Sequence, residues 1–117
     1  MKTLILAFIF SMFFPNDKTG LTIEQNRILL SIDKNTTPEQ IATYRESLLK
    51  KNIKFWVEKV AFDEKEKIKY IKIMVDCNDG FKGSSAETFL NEKTKIGFYR
   101  IYNTKGSPFG MSPLPAE

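Results

Sequence analysis

Histidine is absent from the 117 residues, and cysteine occurs once, as Cys77. Without histidine, the Ser-His-Asp and Cys-His arrangements of nucleophilic catalysis cannot be assembled, and imidazole metal sites are excluded. A lone cysteine allows no intrachain disulfide, so the core must hold without the bridges that staple small secreted scaffolds. There is no internal repeat, no low-complexity block and no interdomain linker. Neither charge sign dominates: Lys and Arg number 18 against 14 Asp and Glu, giving a formal charge of +4. The lysines are interspersed with acids, and the single basic pair, Lys50-Lys51, sits where a helix is expected to end and complements its dipole. That pattern disfavours nucleic acid as a partner.

Only one long apolar run is present. Met1-Lys2 precedes Leu4, Ile5, Leu6, Ala7, Phe8, Ile9 and Phe10, and the run continues past Ser11 through Met12, Phe13 and Phe14 to Pro15. This is the shape of a signal peptide. As a helix, Leu4 to Phe14 would reach about 17 Å against a hydrocarbon core of about 30 Å, so no stable membrane span is expected. No small-x-small pair marks a cleavage site, and Thr19 and Gly20 stand in for one by default. The competing reading is a buried first element of an intracellular fold. The expected organisation is an exporting segment over 1–20, one domain over 21–111 and a loose tail over 112–117.

The remaining composition, 42% hydrophobic and 27% charged, is that of one globular domain. Ile28, Leu30 and Ile32 alternate with Leu29, Ser31 and Asp33 as a strand with one apolar face. Thr37-Pro38-Glu39-Gln40 is a capping-box sequence, with Pro38 at the first helical position. It predicts a helix to about Lys51, with Ile41, Tyr44, Leu48 and Leu49 on its apolar stripe and Asn52 ending it in the left-handed conformation. A second strand is expected over 53–62, with Phe55 and Val57, and Lys59 after them, on one face, and Trp56, Glu58 and Val60 on the other. A third carries Ile71, Ile73, Val75 and Cys77 inward, and Asn78-Asp79-Gly80 turns the chain. Residues 81–91 read as strand, loop or short helix, with the extended reading favoured. Lys95 to Asn103 is an aromatic strand leading toward Phe109 and Met111. The expected class is α+β: a mainly antiparallel sheet of four to five strands in β-α-β-β-β order, with one helix packed on one face.

No catalytic, cofactor-binding or metal-ligating set emerges. Cys77 continues an inward strand face and reads as core. Asp63, Glu64 and Glu66 share one hairpin loop and need no cleft to explain them. Asp76-Cys77-Asn78-Asp79-Gly80 is a residue short of a calcium loop and lacks its distal glutamate. Phe98 and Tyr99 follow Gly97 in an order that fails the RNA-recognition pattern. Asn35-Thr36-Thr37 matches a glycosylation acceptor, but Thr37 is already expected to cap a helix.

The run from Ser31 to Thr37, the following helix, Leu49 to Phe55, Ile68 to Ile73, Asn78-Asp79-Gly80 and Ile101 to Gly106 together resemble a small domain of bacterial envelope proteins. That domain is the segment appended outside the membrane to sensor-type metallopeptidases of the β-lactam-response kind. The resemblance implies an accessory extracytoplasmic module, and no peptidase activity, since the zinc motif of paired histidines has no counterpart here. The expectation is therefore an exported, periplasmic or secreted, non-catalytic binding or interaction module of the cell envelope. Trp56, Phe98, Tyr99, Arg100 and Tyr102 are the candidate binding surface, and an envelope protein or surface ligand is the partner. The alternatives are a protease-inhibitor or pro-segment-like protein and a carboxylate-dependent hydrolase.

Overall fold

The computed structural model describes residues 20–111. The apolar start and the tail, to which the expectations of export and looseness attach, lie outside the described residues. Those described form one helix, α1 (Pro38–Leu49), and seven strands: β1 (Gly20–Ile23), β2 (Arg27–Ile32), β3 (Lys54–Phe62), β4 (Ile68–Asp76), β5 (Lys82–Thr88), β6 (Ile96–Ile101) and β7 (Phe109–Met111). The class is α+β, as the sequence indicates. The strands, however, divide into two antiparallel sheets, ordered β1-β2-β6-β7 and β3-β4-β5, in place of one sheet of four to five.

The two sheets share one core. Ile28, Leu30 and Ile32 of β2 stand with Ile96 and Phe98 of β6, and Phe55 of β3 and Ile71, Ile73 and Val75 of β4 complete the cluster with Leu48 of α1. Pairing sets Leu30 opposite Phe98 and Ile32 opposite Ile96, so the apolar faces of β2 and β6 coincide. On the other face of these strands Ser31 lies opposite Gly97, where any side chain would run into the Leu30 carbonyl. Glycine is there because of that close backbone approach.

Local chemistry sets the ends of α1 as read. Thr37 Oγ1 accepts from Gln40 N at 3.1 Å, and Thr37 N donates to Gln40 Oε1 at 2.9 Å, which closes the capping box. Asn52 takes φ 66 and Asn78 φ 59, and Asn78 Nδ2 donates to the Asn52 carbonyl at 2.9 Å, tying the end of the helical connection to the β4–β5 turn. Gly80 follows at φ 102, a region glycine enters without steric cost. The helix stops at Leu49 rather than Lys51, and Leu49 turns out of the apolar stripe to stand 59% exposed. Ile41 and Tyr44 are half-buried beside Leu48, and α1 lies against β3.

The stretch 81–91 is extended over β5, as favoured, and β5 pairs with β4 along its length. In β3 simple alternation fails. Val57 faces Ile73 and Lys59 faces Lys72, leaving Glu58 as an extra residue, and Val60 then faces Ile71. The bulge sends Val60 to the side of Phe55 and Val57, and Lys59 to the side of Trp56, reversing the faces expected for both.

Candidate functional site

The five residues named from the sequence do not form one surface. In an antiparallel sheet, residues directly opposite share a face, and Arg100 lies opposite Ile28 while Phe98 lies opposite Leu30. Phe98 is therefore fully buried core and Arg100 is 8% exposed. Tyr99 points the other way, and its hydroxyl meets Ser107 Oγ at 2.9 Å. Trp56 stands on the other sheet altogether.

What β6 builds at its C-terminal end is an inward ion pair. Arg100 Nε and Nη2 donate to Asp79 Oδ2 at 3.0 and 2.7 Å, and Nη1 donates to the carbonyls of Ile101 and Pro108 at 2.7 and 3.2 Å. The guanidinium carbon lies 4.6 Å from the Phe81 ring centroid and 4.4 Å from that of Tyr102. Arginine suits this place because its planar charge stacks between rings while its edge remains free to donate. Asp79 comes from the β4–β5 turn of one sheet and Arg100 from the other, so the pair clamps the sheets together at one end. Cys77 is buried nearby, and its thiol is pushed up to about 11, by burial first and then by Asp79. A thiol held neutral in this way is a poor nucleophile.

The acidic loop between β3 and β4 is likewise a structural turn. Asp63 Oδ1 accepts from the backbone of Lys65 and Lys67 at 2.8 and 3.0 Å, and Asp63 Oδ2 lies 4.0 Å from Lys34 Nζ. The Lys67 N–H is the main cause that holds this carboxyl below the usual carboxylate range. Among the described residues no group of three His, Cys, Asp or Glu side chains is placed to hold a metal ion.

The remaining surface with a distinct composition is the outer face of the β3-β4-β5 sheet. Trp56, Met74 and Ser84 form one cross-strand row; Lys59, Lys72 and Ala86 form the next; Ala61, Tyr70 and Thr88 form the third; Lys54, Asp76 and Lys82 close the other end. Trp56 is 40% exposed at the open side of this face. Glu58 Oε1 forms an ion pair with Lys72 Nζ at 3.5 Å, which places the bulged residue on the same face. On this face an indole, a thioether and a phenol are framed by ammonium groups. The arrangement suits adhesion to a surface with apolar and acidic groups.

Sequence reasoning placed Trp56 on a face opposite that of Phe55, and Lys72, Met74 and Asp76 opposite that of Ile71, but it did not join the two sets. Their union needs the β3–β4 register, which the bulge shifts. A signal for that bulge is present: the apolar positions 55 and 57 are odd, those at 60 and 62 are even, and Glu58-Lys59 stands at the change. Comparison with protein-family models, curated proteins and solved structures finds no match.

Proposed function

We propose that the chain is an exported, non-catalytic binding module of the bacterial cell envelope, which docks its partner on the outer face of the β3-β4-β5 sheet. The observation that carries this reading is Trp56, held 40% exposed in register with Met74 and bordered by Lys54, Lys59 and Lys72. A large aromatic group left in water on a paired strand gains most when a partner covers it, and tryptophan is prominent among residues that dominate binding energy. The signal-like N-terminal sequence and the resemblance to segments appended outside the membrane support the envelope as the compartment. The lysine frame favours a partner carrying carboxylate or phosphate groups.

Trp56 is the only tryptophan in the chain, so it reports on its own site. Titration of the full chain with purified envelope polymers and anionic vesicles is expected to shift Trp56 emission to the blue in a saturable manner with one of them. Replacing Met74, its cross-strand neighbour, with Glu should weaken that binding by about tenfold while leaving the fold intact. Absence of any shift with every envelope component, together with turnover of a substrate that depends on Asp63 or Glu66, would sink the proposal in favour of a carboxylate enzyme.

A further inference from the structure

Of the four strands at sheet ends, β1 and β7 span four and three residues, and β5 lies beside β6 and β7. β3 is different: it runs for nine residues, pairs with β4 alone and, although α1 lies against it, keeps Trp56, Glu58, Lys59, Val60 and Ala61 exposed. Among the described residues, no backbone hydrogen bond joins Trp56 to Ala61 to anything other than β4. Over that stretch every side chain is exposed or half-buried, and Val60 stands 42% exposed. An edge of this length presents a row of unpaired donors and acceptors to another strand.

We infer that two copies of the chain associate through antiparallel pairing of their β3 edges, with Glu58 of each copy opposite Lys59 of the other. In this register Val57 meets Val60 of the second copy, and Trp56 meets Ala61. A slip of one residue in either direction sets Glu58 against Glu58 or Lys59 against Lys59, so charge selects the register. The bulge makes the geometry consistent. On a regular strand, neighbouring residues such as Glu58 and Lys59 would point to opposite faces, and this pairing would turn one sheet over relative to the other. Here Glu58 and Lys59 both lie on the Lys72 side, Val57 and Val60 both on the Ile71–Ile73 side, and Trp56 and Ala61 both on the Met74–Tyr70 side. The two three-stranded sheets then continue as one six-stranded sheet, whose single outer face carries both Trp56 side chains. Pairing does not depend on what that face binds.

The test is sedimentation equilibrium of the full chain in mild detergent, which disperses the apolar N-terminal sequence. Wild type is expected to form a dimer. E58K and K59E each place like charges opposite one another at two symmetric positions, and each should raise the dissociation constant by about tenfold. Mixing the two variants in equal amounts sets a copy with two adjacent lysines at the bulge against a copy with two adjacent glutamates there. Both cross-strand pairs then join unlike charges, and the mixture should restore a one-to-one dimer at least as tight as wild type. Circular dichroism melts of each variant check that it is folded. If one single swap impairs folding, the double swap E58K/K59E, which again opposes unlike charges, should dimerise as wild type does. A wild-type chain that stays monomeric up to about 1 mM overturns the inference, leaving the bulge and its charges as a guard of the edge. So does a dimer that the swaps leave unchanged, or a mixture no tighter than the separate variants.

Discussion

Arg100 shows how one residue can be fixed by the fold while reading as surface in the sequence. Its charge is removed from water between two rings and is matched by Asp79, whose side chain remains 33% exposed. Losing the arginine leaves a carboxylate that water can still partly reach, so Arg100→Ala should lower unfolding free energy by about 2–3 kcal/mol, below the range for a fully buried pair. Urea denaturation monitored by circular dichroism measures this, and Asp79→Asn should cost less because the hydrogen-bonding geometry survives. Cys77 gives a pH signature at the same end of the molecule. Its thiol is raised from an ordinary 9.0 to about 11, so the fold favours the protonated form. The stability this contributes is complete below pH 9 and is lost as pH rises toward 11, because the unfolded chain ionises first. Cys77→Ala should therefore show a shallower fall in denaturation midpoint between pH 9 and 11 than wild type. Tyr44, also raised by burial, titrates equally in both chains, whereas Tyr102, raised by burial first and in part by Cys77, is raised less in the variant and adds to the same shallower fall.

Among the elements, β3 departs furthest from its simple pattern. Glu58 is the extra residue of the bulge, and without it Phe55, Val57, Val60 and Phe62 would alternate regularly. Deleting Glu58 should therefore preserve a cooperative fold with the inward side chains unchanged. Deleting Lys72 from β4 should not, because it would turn half of the stripe Ile71, Ile73 and Val75 outward. Thermal melts of the two deletions distinguish these outcomes: a sharp transition for the first, and none for the second. The helix shows the opposite behaviour, with its start specified by four adjacent residues and its apolar face only partly so. Thr37 and Gln40 satisfy each other's backbone whatever the tertiary surroundings, and this is why the start of α1 was legible. Leu48 and Leu49 are both leucine, and which of them is buried depends on where α1 rests against β3.

At the scale of the molecule, the two sheets draw on one hydrophobic cluster and should unfold together. Phe98 is fully buried on β6, and Trp56 lies on the other sheet, so a change at one should be felt at the other. Phe98→Ala is expected to destabilise by about 3–5 kcal/mol and to move the Trp56 fluorescence transition and the far-ultraviolet transition by the same amount. Separated transitions would mean that the sheets unfold independently. By itself the sequence determined what alternation and turn chemistry encode within a few residues: the inward faces of β2 and β4, the capped start of α1, the left-handed Asn52, the extended β5 and the α+β class. The division into two sheets, the inward course of Phe98 and Arg100, and the joining of Trp56 to Met74 were decided only by tertiary structure. The physical reason is that β2 pairs with β6 across most of the chain, and a stripe of apolar side chains needs cover without specifying which distant strand supplies it.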